Sequence, residues 1–175
     1  MSVWYTAVLC RVLLGFVFAA SAFAKLRRRA AFAGFTKGLA AMRVVPERGL
    51  RELAGVVAVT EAVVPVLLLA PGTARLGLGL AVLLLSAFTL AVGVVLRRGT
   101  VASCPCFGAA QAPFGVRHVV RNTVLTGVAA AGLATVGGGA SGQGSGVLLA
   151  VLAGAVLATL VIRLDDLVAL FRLSG

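Results

Sequence analysis

Two cysteines separated by a single proline, Cys104-Pro105-Cys106, are the residues of this chain best suited to chemistry. A Cys-x-Cys pair can cycle between dithiol and disulfide, bind a soft metal through two thiolates, or remain chemically inert. A disulfide across one residue closes a small ring, and strained, exposed disulfides are the more oxidising ones. Pro105 holds its φ angle at roughly −65° and limits how far the sulfurs can separate. A reversible redox pair is our working hypothesis.

Basic residues lie on both sides of this pair in the sequence. Arg97 and Arg98 precede it, and Arg117 and His118 follow it. Nearby cations favour the thiolate, which is the reactive form of cysteine. The third cysteine, Cys10, lies inside an apolar run and is expected to be a small packing residue.

The composition is that of an integral membrane protein. Of the 175 residues, 61% are hydrophobic and only 12% are charged, and the mean hydropathy is +1.10. In a soluble domain about a quarter of the residues are charged. The net charge is +11, and the basic residues that produce it flank apolar runs, where such residues anchor helices at the membrane surface. With 6% aromatic residues and no basic surface interleaved with them, the chain is not expected to bind nucleic acid.

Five apolar segments are long enough, or nearly so, to cross about 30 Å of hydrocarbon as helices. They predict an all-α fold, a polytopic membrane helical bundle with a four-helix core and a fifth transmembrane helix. We expect a single integral membrane domain over residues 1–175, located in the cell membrane as a multi-pass protein in contact with the lipid bilayer. The predicted spans are 3–24, 53–69, 76–96, 119–136 and 147–162.

The first segment has an alternative interpretation as a signal peptide, because residues 22–24 have the form of a cleavage site. No basic residue precedes the apolar run, however, and Lys25 would directly follow the cut. Retention as a membrane span is therefore favoured.

The loop between the first two spans has the pattern of an amphipathic helix. Its apolar residues recur at helical spacing, and they are Phe32, Phe35, Leu39 and Met42. Such a stripe suits a helix that lies in the membrane interface, and equally a helix packed as a cover on the end of the bundle. Pro46 is expected to end this helix before the second span.

Arg11 and Glu61 are the ionisable residues deepest in the predicted spans, where each is costly and needs a partner. Arg11 lies 14 residues before Lys25, and Glu61 lies 11 residues after Leu50. If the two spans are antiparallel and start level, an Arg11–Glu61 ion pair follows. Alternatively, Arg11 reaches the nearer surface while Glu61 is protonated or bonds hydroxyl groups. Lys25, at a helix end, is expected to need no partner.

The order of the polar residues along the chain is similar to that of a known family. In chain order they are Arg11, Lys25, Glu61, Arg98-Gly99, Cys104, Cys106, Phe107, Gly108, Arg121 and Asn122. This pattern covers about residues 5–137 and resembles the methylamine utilisation protein MauE, within the wider DoxX-like group of small membrane proteins.

The resemblance implies that the protein supports redox maturation, by disulfide formation, of exported proteins such as the small subunit of methylamine dehydrogenase. It makes Cys104 and Cys106 the catalytic redox pair. The residues it marks as supporting are Phe107, Gly108, Lys25, Arg11, Glu61, Arg121 and Asn122. The partner would be an exported thiol protein or a thioredoxin-like protein.

Three classes of function remain open. In the first, a redox protein passes electrons between its cysteines and a protein partner or a lipid-soluble quinone, the only cofactor we consider. Phe107 would then insert into the mouth of the bundle, and Gly108 would let the chain turn back. In the second, Cys-Pro-Cys binds or transports Cu(I), although a chain with two Met and one His offers little support for such a site. In the third, the protein is a structural membrane subunit.

The side of the membrane that the cysteines face is predicted differently by two arguments. Most Lys and Arg residues lie in the first loop and the cysteine loop, whereas the turn after the second span holds only Arg75. The positive-inside rule therefore places the cysteines in the cytoplasm. The resemblance implies that they face outward, towards exported proteins.

Overall fold

A computed structural model describes residues 3–43, 46–70, 72–98, 116–137 and 144–173, without the side chains of residue 47 and residues 165–173. Every long regular element in these residues is a helix. The helices are α1 Val3–Leu26, α2 Arg29–Ala41, α3 Leu50–Leu69, α4 Ala74–Arg97, α5 Val116–Thr135 and α6 Gly144–Leu173, with a 3-10 turn at Glu47–Gly49 before α3. The predicted all-α membrane bundle is confirmed.

Four of the described helices are long and apolar enough to cross a membrane: α1, α3, α4 and the part of α6 that ends at Leu164. The fourth predicted span, which corresponds to α5, is less apolar than these. Its first two turns carry Arg117, His118, Arg121 and Asn122, which lower its mean hydropathy. The count of five membrane crossings therefore stays a prediction.

Helix α1 lies at the centre of the described bundle, in contact with α3, α5 and α6, and α4 packs against α3 and α5. Side chains of α1 supply a third of the main buried cluster, whose members are Leu13, Leu14, Val17, Phe18, Val64, Leu68, Leu78, Ala81, Leu85, Leu125, Ala129 and Ala158. Helix α6 approaches α1 closely: a Cβ atom added at Gly154 would lie 3.0 Å from Val12 Cβ. Small residues permit such approaches where lipid removes any hydrophobic preference for helix contact.

Helix α2 packs as a cover on one end of the bundle. Phe35 and Met42 are fully buried there, in a cluster that α3 and α4 complete with Ala54, Val92 and Val95. The loop helix is therefore a cover packed on the bundle, the second of the two interpretations of its apolar stripe. The end of α4 is fastened to the same region, because Arg98 Nη1 donates to the Arg43 carbonyl at 3.2 Å.

The opposite end of the bundle holds the tight connection between α3 and α4. Gly72 has φ +77° there, a backbone conformation that glycine adopts without steric cost. Thr73 Oγ1 donates to the Leu67 carbonyl at 2.8 Å and so satisfies one of the last carbonyls of α3. Beyond the turn the two helices pack closely, since a Cβ atom added at Gly77 would lie 3.0 Å from Leu68 Cδ2.

Candidate functional site

A buried ion pair joins α1 to α3. Lys25 Nζ lies 2.6 Å from each carboxylate oxygen of Glu61 and also donates to Ser21 Oγ at 2.8 Å. The Ser21 hydroxyl donates in turn to Glu61 Oε2 at 3.2 Å. Lys25 is 1% exposed and the Glu61 side chain 11%. Because the ammonium has three N–H donors, these contacts use its full donor capacity.

The geometry of α1 explains how a lysine at a helix end reaches this position. Ser21 and Lys25 are four residues apart and therefore lie on one face of the helix. Long side chains in a helix point back towards its N-terminus. The Lys25 ammonium accordingly sits one turn deeper than its Cα atom, at the level of Ser21, where it meets Glu61.

Helix α2 covers the ion pair from the side of the loop. Lys25 Nζ lies 4.6 Å from the centre of the Phe35 ring, within the range of a cation–π interaction. Phe35 is fully buried and belongs to the same cluster as Met42. The packing of α2 thus shields the charges from the surface.

A cavity of about 270 Å³ lies beside the ion pair. Five polar residues line it, from α1, α3 and α5: Ser21, Lys25, Glu61, Arg121 and Asn122. Helix α2, the residue that directly follows it, and α4 contribute apolar side chains to its wall: Leu39, Met42, Leu84, Leu85, Ala87, Phe88 and Ala91. The cavity is therefore an apolar chamber with a small group of convergent polar groups, the usual composition of a ligand site.

The first two turns of α5 supply the remaining polar residues of the cavity. Arg121 and Asn122 are buried, at 8% and 5% exposure. No hydrogen bond of the Asn122 side chain is formed with any residue that the structure describes. The structure thus brings together four of the predicted supporting residues, Lys25, Glu61, Arg121 and Asn122.

The family model of the methylamine utilisation protein MauE matches residues 3–135, which is more than half of the chain. The chain belongs to the MauE family. The match to MauE includes α1 to α5, and therefore every residue that lines the cavity, whereas α6 lies beyond it. With its four long apolar helices, this MauE protein is an integral membrane protein. Neither a search of curated proteins nor a search of solved structures found a match.

The predicted Arg11–Glu61 ion pair is wrong. Arg11 instead donates through Nε to the Leu68 carbonyl at 2.7 Å, and its Nη2 donates to the same oxygen. Leu68 is the penultimate residue of α3, so its carbonyl has no partner within the helix. A cation at this position also meets the negative end of the α3 dipole. Arg11 therefore caps the C-terminus of α3.

The expectation that Lys25 needs no partner is also wrong, because Lys25 is the residue that forms the ion pair with Glu61. The ion-pair prediction assumes that both spans start level and compares only the positions of the Cα atoms. In the structure the Lys25 side chain extends back by one helical turn and bonds both carboxylate oxygens of Glu61. Ser21, which the sequence analysis did not single out, could have been found from its spacing of four residues before Lys25.

The predicted redox residues lie outside the described residues: Cys104, Cys106, Phe107 and Gly108. Their roles stay predictions. Cys10 is a free, buried cysteine in α1. A Cβ atom added at Gly132 of α5 would lie 3.1 Å from Cys10 Cβ, so the sulfur side chain occupies a tight helix contact.

Replacing Arg11 by methionine is expected to destabilise the protein by about 1.5–3 kcal/mol, the usual contribution of a hydrogen bond from a charged group. The Leu68 carbonyl would lose both guanidinium donors. The measurement is thermal unfolding in mild detergent, followed by circular dichroism. Arg75→Met is the matched control, because Arg75 caps the Val136 carbonyl at an exposed site and should contribute less. Equal stability of Arg11→Met and the unaltered protein would contradict the capping role.

Proposed function

We propose that this MauE protein is a thiol–disulfide redox protein of the cell membrane, with Cys104 and Cys106 as its redox pair. One observation carries the proposal. The segment with the two cysteines connects Arg98, at the end of α4, to Val116, at the start of α5. Both helix ends lie within about two turns of the cavity, since Ala91 and Arg121 line it. The cysteine segment is therefore attached, at both of its ends, within about two turns of a chamber that contains polar groups.

The reaction that fits this proposal is disulfide exchange. The oxidised Cys104–Cys106 pair accepts two electrons and two protons from two thiols of a partner protein. The partner gains a disulfide, and Cys104 and Cys106 become thiols. A second electron acceptor must then restore the pair. The partner is an exported thiol protein or a thioredoxin-like protein. The family's description links MauE itself to methylamine utilisation.

The residues around the cavity would support this reaction in different ways. Lys25 and Glu61 fix the relative position of α1 and α3. Arg121 and Asn122 lie within two turns of the point where the cysteine segment enters α5. Phe107 would anchor the sulfurs at the membrane surface, and Gly108 would let the chain turn back.

We predict that Cys104 and Cys106 form a reversible disulfide with each other. Mild oxidation of the purified protein, followed by alkylation and mass spectrometry, should yield one peptide with linked cysteines. Reduction should then expose two alkylatable thiols. Because Cys10 is buried in α1, it should react only after unfolding.

Two variants serve as controls for this measurement. Cys10→Ala should leave the linked peptide unchanged, whereas Cys104→Ser should abolish it. Finding both thiols of the unaltered protein free under every oxidising condition would rule out the redox pair. Stoichiometric copper bound to those free thiols would instead favour the metal-binding alternative.

A further inference from the structure

The cavity beside the Lys25–Glu61 pair has room for a ring-shaped ligand. Its volume is about 270 Å³. A cavity of roughly 150 Å³ in another protein holds a benzene molecule. The larger chamber in this MauE protein therefore accommodates a substituted six-membered ring.

Asn122 indicates which chemistry that ligand has. Its side chain is buried in the cavity wall and makes no hydrogen bond with the described residues. The amide lines the cavity, and its NH₂ group offers two donors to a bound ligand. The nearby ammonium of Lys25 is already fully engaged by Glu61 and Ser21. A ligand with an acceptor oxygen would satisfy the amide of Asn122.

The wall of the cavity reaches the exposed surface of the bundle at α4. Ala87 of α4 lines the cavity and is also exposed on the bundle surface, and Phe88 and Ala91 beside it are only partly buried. These residues lie in the middle and second half of a helix apolar enough to span the membrane. A lipid-soluble molecule can enter along this side, whereas a hydrophilic one would have to cross apolar side chains.

We propose that this cavity binds the head group of a lipid-soluble quinone, with the Asn122 amide donating to a quinone carbonyl. A quinone combines an apolar ring with carbonyl acceptors, and so matches both the wall and the polar group. Its redox role rests on the proposed function: two thiols of Cys104 and Cys106 give up two electrons and two protons, forming their disulfide, and the quinone takes them up as quinol. Binding itself does not require the cysteines.

Binding is tested with the full-length protein in which both cysteines of the pair are replaced, Cys104→Ser and Cys106→Ser. The probe is a benzoquinone with a decyl tail, titrated into the detergent-solubilised protein by calorimetry. We expect saturable binding of one quinone per chain. Asn122→Leu should weaken it about tenfold, the equivalent of one lost hydrogen bond. Ala91→Leu should weaken it by narrowing the cavity. Thr123→Ala, on the exposed face of the same helix, should bind like the parent.

The matched ligand control is decylbenzene, which has the same tail and ring size without carbonyls. Equal binding of decylbenzene and the quinone would overturn the proposal and identify a site for acyl chains only. Absence of saturable quinone binding, or equal affinity in Ala91→Leu and the parent, would also overturn it. If Asn122→Leu does not fold, Ala91→Leu and the ligand control decide. Because the cysteines are absent from this experiment, a failure of the disulfide hypothesis leaves its result unaffected.

Discussion

Replacing Lys25 by methionine is expected to destabilise the folded protein by about 3–5 kcal/mol, because it leaves the Glu61 carboxylate buried without its counter-charge. Glu61 would retain only the Ser21 hydroxyl among its described partners. The methionine fills most of the space of the lysine stem, so lost packing contributes little. Unfolding in mild detergent, followed by circular dichroism, measures the effect. Glu61→Leu should be comparably destabilising, since it leaves the ammonium uncompensated.

The double variant Lys25→Met with Glu61→Leu separates the ion pair from general packing. The loss of stability in the double variant should be much smaller than the sum of the losses in the two single variants. Replacing both charged groups by apolar ones leaves no buried charge, and so no desolvation penalty. Lys37→Met is the matched single control, since Lys37 is an exposed lysine on α2, and it should change stability little. Strict additivity of the two single variants would contradict a direct Lys25–Glu61 interaction.

The helices of this protein could be predicted from the sequence because they depend on local composition. Uninterrupted apolar runs gave the positions of α1, α3, α4 and α6 to within a few residues at most ends. The sequence did not decide between two positions for α2, because its apolar stripe could face lipid at the membrane interface or pack against the end of the bundle. Only the packed structure shows that Phe35 and Met42 pack against α3 and α4. Whether this apolar stripe contacts protein or lipid depends on how the other helices are placed, which the local sequence does not encode.

The candidate site was harder to predict, because it depends on side-chain directions between helices. Glu61 was correctly expected to need a partner. The partner was misassigned because the prediction placed the starts of the two spans level, whereas Glu61 bonds Ser21 and Lys25, about three to four turns from Arg11 along α1. Arg121 and Asn122 were identified only through resemblance to the family. Nothing in the local sequence shows that they face the cavity, since this depends on how α5 packs between α1 and α4.

The bundle has a strong charge asymmetry between its two ends, which bears on the direction that the cysteines face. Helices α1 and α4 end, and α3 and α5 begin, at the end covered by α2. Exposed basic residues at these termini include Arg27, Arg28, Arg29, Arg51, Arg97 and Arg98. At the opposite end the described basic side chains are those of Arg75 and, further inside, Arg11. Arg11 bonds the Leu68 carbonyl of α3, and Arg75 bonds the Val136 carbonyl just after α5. The positive-inside rule places the α2 end in the cytoplasm.

We therefore expect Cys104 and Cys106 to be protected from a membrane-impermeant maleimide in intact cells and to react after the membrane is permeabilised. The control is Ser145→Cys in a chain without its native cysteines. Ser145 is exposed at the start of α6, and its neighbour Gly146 contacts Tyr5 near the start of α1, so this position marks the opposite end. It should react in intact cells.

The outcome of this labelling determines the class of partner. Protection of Cys104 and Cys106 would mean that they exchange electrons with thiols on the cytoplasmic side, so that any exported protein would be oxidised through a further carrier. Reaction of both cysteines in intact cells, with Ser145→Cys protected, would contradict the charge argument. The pair would then face exported proteins directly, as the resemblance implies. In both orientations the proposed quinone site lies beside the exposed Ala87 of α4, a helix apolar enough to span the membrane, so the quinone proposal does not depend on the side that the cysteines face.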